Sequence, residues 1–293
     1  MIFIQSFWSK PFFNLDSNDV NYRVSGGFID KRYFYYCWVL SFLHLKRFRK
    51  DVVLYTDELG KYILIDVLEL DYSNVRLEFN DLKSLSSSYW TIPKMVTYRK
   101  VNEPFLHVDG DLILYDGFSS LGVESKDLVF EFKNESFSAA HLKTIRKLNS
   151  IVFKHPSNLI KGELNCGIAG GKDYMFFNEF AEWSLDYFYK NLDKLDSGDL
   201  NFNKNTINSY FELYLLYQYI HQRQRKYFFL FDKNPKDIYL RTFFLPQHYK
   251  SRIMTHFILN LKCKMSLEIA LMLRLNYPDW YHKINDLIDR NIL

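Results

Sequence analysis

Two carboxylates one residue apart stand between two apolar runs in Phe105-Leu106-His107-Val108-Asp109-Gly110-Asp111-Leu112-Ile113-Leu114-Tyr115. Side chains alternate along an extended chain, so Asp109 and Asp111 share a side. Gly110 lets the backbone turn tightly and leaves room for close approach to it. Carboxylate oxygens are hard ligands suited to Mg²⁺ or Mn²⁺, and an ion held by only a few of them keeps positions for phosphate oxygens. The same residues also read as a solvated hairpin turn, since Asp-Gly is among the commonest turn pairs. His107, with no metal-like spacing to another histidine, reads as packing.

Such a pair needs strands to hold it, and the first half of the chain offers several. Ile2–Ile4, Val52–Tyr55, Ile63–Leu68, and Phe105–Val108 followed by Leu112–Tyr115 are short apolar runs bounded by turn residues. Lys31–Arg49 is apolar nearly all the way round, as expected of a helix inside a large core, and strand-helix-strand implies a parallel crossover. Ser86–Lys100 places Trp90, Lys94 and Tyr98 on one helical face. Asp127–Phe132 reads as a further strand and Lys161–Gly171 as a Gly-containing loop. Beyond Tyr174, apolar residues recur at three and four residue intervals in Phe176–Leu192, Asn205–Gln222, Ser266–Leu275 and Trp280–Ile292, which predicts helices. The polar stretch Asp193–Lys204 predicts a mobile loop. The organisation is therefore an α/β domain over residues 1–175 and a mainly helical part over 176–293 packed on the same domain.

Composition sets the outer bounds. The 293 residues are 48% apolar and 25% charged, which allows a sizeable core and excludes a disordered chain. The 27 Phe, 22 Tyr and 5 Trp need a packed interior or a binding surface. A formal charge of +4 is far from the dense basic stripe of a nucleic-acid binder, so no nucleic acid is expected as a partner. The three cysteines, Cys37, Cys166 and Cys263, form no C-x-x-C pair, which suggests neither a disulfide framework nor a thiolate zinc site. The first residues lack the features of a signal peptide, and Tyr33–Leu45 is too short to span a bilayer, so a cytoplasmic protein is expected. Lys46-Arg47-Phe48-Arg49-Lys50 could touch an anionic membrane surface, but at a helix end its cations equally complement the dipole.

Several pieces, in order along most of the chain, carry a resemblance. A hydrophobic strand ends in Asp109-x-Asp111, preceded by a helix containing Lys94 and followed by the Asn165-x-Gly167 loop. Phe3–Trp8 and Asp51–Asp57 precede them as candidate first and second strands, and His256 and Lys262 follow with His-x₅-Lys spacing. This set resembles the nucleotide-sugar glycosyltransferases of the GT-A fold. The resemblance implies a Rossmann-like, mostly parallel sheet with a helical C-terminal elaboration. It also implies metal-dependent transfer of a hexose-type sugar from a nucleotide donor, a UDP-sugar, to a glycan or lipid-linked acceptor. Mn²⁺ or Mg²⁺ would be held by Asp109, Asp111 and His256, with Gly110 at the turn. Lys94 and Lys262 would face the diphosphate, and Gln5, Ser6, Phe7 and Asp57 the nucleotide. Asn165, Gly167, Gly170 and Gly171 would shape the sugar side, and Glu212 would act as the base.

The sequence departs from the family pattern at Leu259, where a Gly often stands, and at Cys263-Lys264, where Pro-Trp is usual. His256 also reads as a core histidine on an otherwise apolar helix, Lys262 as a lysine lying along a helix surface, and Glu212 as an acid bonded to a Tyr hydroxyl. Two other functions fit the same residues. One is a haloacid dehalogenase-like phosphatase, which also ends a strand in Asp-x-Asp. The other is a non-catalytic carbohydrate-binding protein of the GT-A fold.

Overall fold

The computed structural model describes residues 1–13, 24–115, 117–118, 121–134, 139–152, 161–197, 204–231, 254–257 and 260–293. In chain order the strands are β1 (Ile2–Phe7), β2 (Val52–Thr56), β3 (Asn74–Arg76), β4 (Phe105–Val108), β5 (Leu112–Leu114), β6 (Val129–Asn134), β7 (Glu163–Gly171), β8 (Phe228–Phe229) and β9 (Met254–His256). The helices to Gln222 are α1 (Ser9–Phe13), α2 (Lys31–Phe48), α3 (Glu58–Lys61), α4 (Ile92–Lys100), α5 (Ala139–Val152), α6 (Tyr174–Lys190), α7 (Leu192–Asp196), α8 (Lys204–Ser209) and α9 (Leu215–Gln222). Three more, Asn260–Lys264, Ser266–Asn276 and Pro278–Asp289, follow β9. The expected class, α/β with parallel strands and helical C-terminal additions, is the class observed. Among the described residues no helix is long and apolar enough to cross a membrane.

The chain folds as two compact units. The first comprises Ile2–Ser87, His107–Gly122 and Lys236–Leu293. Its strands run in the order β3-β2-β1-β4, with β1 parallel to β2 (Phe3 opposite Val52) and β2 parallel to β3. The crossover from β1 to β2 is α2. Asp30 caps it by accepting a hydrogen bond from Arg32 N at 2.8 Å, which satisfies one of the amides left open at a helix start. Its residues from Phe34 to Phe42 are all buried, so α2 is a core helix, packed against β5 and the two helices Ser266–Asn276 and Pro278–Asp289. A separate two-stranded sheet pairs β5 with β9 antiparallel, with Leu112 opposite His256.

The second unit comprises Met1, Ser88–Leu106 and Val123–Pro235. Its strand order is β4-β7-β6-β8, with β6 antiparallel to β7 and parallel to β8. A register shift between Phe130 and Phe132 marks a bulge. Helix α4 packs on α6, and the rings of Tyr98, Phe105, Phe130 and Phe177 meet at centroid distances of 5.2 to 6.0 Å. Asn208 stitches this core, accepting from Thr91 N and donating to Ser88 O at 2.7 Å. Tyr210, Phe211, Tyr214, Tyr217 and Tyr219 are all buried, as their helical spacing predicts.

Four local expectations change. Ile63–Leu68 is not a strand, because Asp57 caps Gly60 N at 2.8 Å and the helix this starts continues through Tyr62–Val67 with π-type bonds such as Leu68 N to Ile63 O. Lys161–Gly171 is mostly the strand β7, where Gly170 and Gly171 adopt positive φ so that neighbouring backbone can come close. A Cβ on Gly170 would lie 2.1 Å from Phe105 O. The helix ending at Lys100 begins only at Ile92, where Pro93 in the first turn fixes the start. His256 ends a strand rather than lying on a helix. Of the polar stretch Asp193–Lys204, residues up to Asp196 belong to α7, and 198–203 lie outside the described residues, as does Leu259.

Candidate metal and nucleotide site

The Asp109-Gly110-Asp111 turn links β4 to β5, with Leu112 N donating back to Asp109 O at 3.1 Å. The β5–β9 register then fixes what faces it. His256 pairs with Leu112, and Phe257 N donates to Asp111 O at 2.9 Å, so the chain after β9 is held beside Asp111. His256 Nε2 consequently sits 3.3 Å from Asp111 Oδ1, and Lys262 Nζ sits 2.7 Å from Asp111 Oδ2. Lys262 also donates to Gly26 O at 2.7 Å, which pins its ammonium in place.

One ligand atom from each of Asp109, Asp111 and His256 lies within 4.8 Å of the others. Asp111 Oδ1 is buried and accepts no well-formed hydrogen bond, with His256 Nε2 3.3 Å away. Burial by itself would raise the Asp111 carboxyl, but the Lys262 ammonium and the His256 imidazole outweigh it and hold the group well below the usual carboxylate range. Asp111 is therefore a standing anion at neutral pH. Two carboxylates and one imidazole, with a buried oxygen lacking its hydrogen bond, fit a divalent cation such as Mn²⁺ or Mg²⁺.

Behind the turn runs a chain of hydrogen bonds. A Cβ on Gly110 would lie 2.2 Å from the Trp38 ring, so only glycine admits the indole here. Trp38 Nε1 donates to Tyr72 Oη at 3.0 Å, and Tyr72 donates to Gln5 Oε1 at 2.6 Å. Gln5 Nε2 donates to Ser41 Oγ at 2.9 Å, and Ser41 approaches Asp109 O at 3.5 Å. Burial pushes the Tyr72 hydroxyl far up, so it remains a donor.

The three residues Gln5, Ser6 and Phe7 have separate surroundings. Gln5 is fully buried and uses both ends of its amide in that chain. Phe7 is buried among Phe12, Phe34 and Trp38, with ring centroids 5.2 to 5.9 Å away. Ser6 is partly exposed, with Oγ 2.8 Å from His107 Nε2. Asp57 accepts from Ser9 Oγ at 2.7 Å as well as capping α3. His107, read from sequence as packing, also places Nδ1 3.6 Å from Asp109 Oδ1. The signal for it was its position two residues before Asp109, on the same side of the strand.

The remaining expected residues lie in the second unit. Lys94 and Glu212 form a buried ion pair, Nζ to Oε1 at 2.7 Å, and Lys94 also donates to Cys166 O at 2.9 Å. Glu212 stands on a π-helical turn, Tyr210–Tyr214, between α8 and α9. Asn165 Oδ1 accepts from Gly167 N at 2.9 Å, and a Cβ on Gly171 would meet Asp127 O at 2.0 Å.

Among solved structures, the chain is similar to the apo form of mouse xyloside xylosyltransferase 1, with 11% identity and a TM-score of 0.42 over 87% of this chain and 96% of that one. It is similar to the glycosyltransferase GlyE of Streptococcus pneumoniae TIGR4, with 13% identity and a TM-score of 0.40, over 99% of this chain and 64% of that one. A galactosyltransferase LgtC structure, in complex with donor and acceptor sugar analogs, matches with 11% identity and a TM-score of 0.40 over 97% and 100% of the two chains. These are distant likenesses. No curated protein matches the sequence. A family model does match, over residues 1–287, and the chain accordingly belongs to the DUF6734 family, a family of unknown function.

Proposed function

We propose that the protein is a metal-dependent glycosyltransferase that takes a sugar from a nucleoside diphosphate donor, a UDP-sugar, and passes it to a glycan or lipid-linked acceptor. The observation that carries this reading is the convergence of Asp109, Asp111 and His256 at the carboxyl end of β4, with the Lys262 ammonium on the same carboxylate. Open α/β sheets bind ligands at the carboxyl ends of their strands, and Ser6 at the end of β1 is the partly exposed residue there.

Each group has a part in that chemistry. As the bond from sugar to diphosphate breaks, negative charge builds on the departing β-phosphate. A cation bound by Asp109, Asp111 and His256 would supply positive charge against those oxygens. Lys262, fixed by Gly26 O and Asp111, adds a second positive charge without having to be ordered during the reaction. The Trp38–Tyr72–Gln5–Ser41 chain keeps the turn from shifting as the ligand binds. The phosphatase reading gains no comparable support, because Asp111 is engaged by Lys262 and His256 as a fixed anion rather than as a proton donor.

The test is a calorimetric screen of nucleoside diphosphates and their sugars against the protein with Mn²⁺ and with chelator. The reading expects UDP to bind in the presence of Mn²⁺ and to lose at least tenfold in affinity without it. Equal binding in both conditions, or binding of no nucleoside diphosphate, refutes it.

A further inference from the structure

Ser6, His107 and Asp109 stand in a line. Ser6 Oγ is 2.8 Å from His107 Nε2, and His107 Nδ1 is 3.6 Å from Asp109 Oδ1, a separation that a small turn of the carboxylate would close to a hydrogen bond. The imidazole is 1% exposed, so almost no water reaches its nitrogens. A neutral imidazole has one donor nitrogen and one acceptor nitrogen. With the proton on Nδ1, facing the carboxylate, Nε2 accepts from the Ser6 hydroxyl and the lone pairs of Ser6 Oγ are left for a ligand. Ser6 then recognises a group that donates a hydrogen bond, such as a ribose hydroxyl or a base N–H. The carboxylate that Nδ1 faces is one that would hold the cation.

We propose that Ser6, His107 and Asp109 form a relay that couples nucleoside recognition to cation binding through the protein itself, apart from any contact between cation and diphosphate. The proposal rests on the nucleotide-sugar reading above. A cation on one oxygen of Asp109 stops the carboxylate from rotating and presents the other oxygen to Nδ1, which fixes His107 and with it the Ser6 hydroxyl. The linkage is reciprocal, so a nucleoside at Ser6 must tighten cation binding by the same factor. His107 is a positioning residue in this scheme, and Ser6 is the group that touches the ligand.

The probe is uridine, which has no phosphate and so cannot reach the cation directly. The Mn²⁺ dissociation constant is measured from the signal of free Mn²⁺ in electron paramagnetic resonance, with and without uridine, for the wild type, Ser6→Ala and His107→Gln. The glutamine can still meet Ser6 near the Nε2 position but cannot reach Asp109. In the wild type uridine should tighten Mn²⁺ about fivefold, the worth of roughly one hydrogen bond. In each variant the ratio of the two constants should fall to about one, because either change cuts the relay. A wild-type ratio of one, or a fivefold ratio that survives both substitutions, overturns the relay. Calorimetry of UDP on the Mn²⁺-loaded wild type separates the two levels. If UDP binds and uridine has no effect on Mn²⁺, the relay alone fails, whereas if UDP does not bind the nucleotide reading fails with it.

Discussion

Lys94 and Glu212 offer a clear test of how the second unit is held together. Their charged atoms are 2.7 Å apart, and both side chains are more than nine-tenths buried. At that distance Coulomb attraction with an effective dielectric of about 20 amounts to roughly 6 kcal/mol, most of which goes to offset the cost of taking two ions out of water. The pair as a whole is thus close to neutral for stability, while either partner alone is costly. Lys94→Met removes the ammonium from both Glu212 and Cys166 O and leaves a buried carboxylate without its cation. It should destabilise the protein by about 3–5 kcal/mol. Glu212→Gln keeps an oxygen that can accept from Lys94, and should cost about 1–2 kcal/mol. The double variant Lys94→Met/Glu212→Leu replaces two ions with apolar groups and should recover most of the loss, so the two sites are strongly non-additive. The assay is urea unfolding followed by circular dichroism for the wild type, Lys94→Met, Glu212→Gln, Glu212→Leu and the double, so that the double is compared with its own two single changes. A loss under about 1 kcal/mol for Lys94→Met, or a double variant as unstable as the sum of its two single changes, would show that the ion pair does not hold this core together.

Three further outcomes follow from the same geometry. His44 is buried, with Nδ1 donating to Leu114 O at 2.8 Å, and burial lowers its pKa below the ordinary histidine value. The unfolded chain therefore binds a proton near pH 6.5 that the folded chain resists. Its contribution is present above that pH and is lost as pH falls toward the folded value. Thermal melts from pH 7.5 downward should show this decline, and His44→Gln should flatten it. Gly170→Ala would put a Cβ 2.1 Å from the Phe105 carbonyl at a φ of 156°, and should destabilise by about 3 kcal/mol by denaturant titration, because backbone cannot move aside. Trp38→Phe removes the donor to Tyr72 and should cost about 1 kcal/mol, while Gln5→Leu strands both Tyr72 and Ser41 and should cost about 2–3 kcal/mol. In both variants Mn²⁺ affinity, read by calorimetry, should fall, since the support behind Gly110 and Asp109 is loosened.

Much of the frame was legible because local pattern and tertiary packing agree. The apolar run Phe34–Phe42 behaves as a buried crossover helix, and β1 and β2 pair parallel as strand-helix-strand order requires. Asp109 and Asp111 do come together, but on the turn between β4 and β5 rather than along one strand, and the β5–β9 pairing brings His256 to them. Other parts were hidden for physical reasons. An apolar run such as Ile63–Leu68 suits a strand or a helix equally, and the Asp57 cap decides between them. The glycines of β7 look like loop residues until the backbone of Phe105 and Asp127 is seen pressed against them. The environment of Gln5 depends on Ser41 and Tyr72, 36 and 67 residues away, and no local pattern announces such partners. His107 is the opposite case, since its place two residues before Asp109 could have been read as a shared face.

Every role proposed for the site depends on whether the Asp109-Gly110-Asp111 turn holds a divalent cation. A Mn²⁺ binding isotherm, followed by electron paramagnetic resonance on the wild type and on Asp111→Asn, measures this without any assumption about sugar or acceptor. One Mn²⁺ per wild-type chain is expected, with at least a tenfold loss of affinity in the variant and a melting temperature showing that the fold is retained. An isotherm with no saturable site in the wild type, or one unchanged by Asp111→Asn, would contradict the cation site.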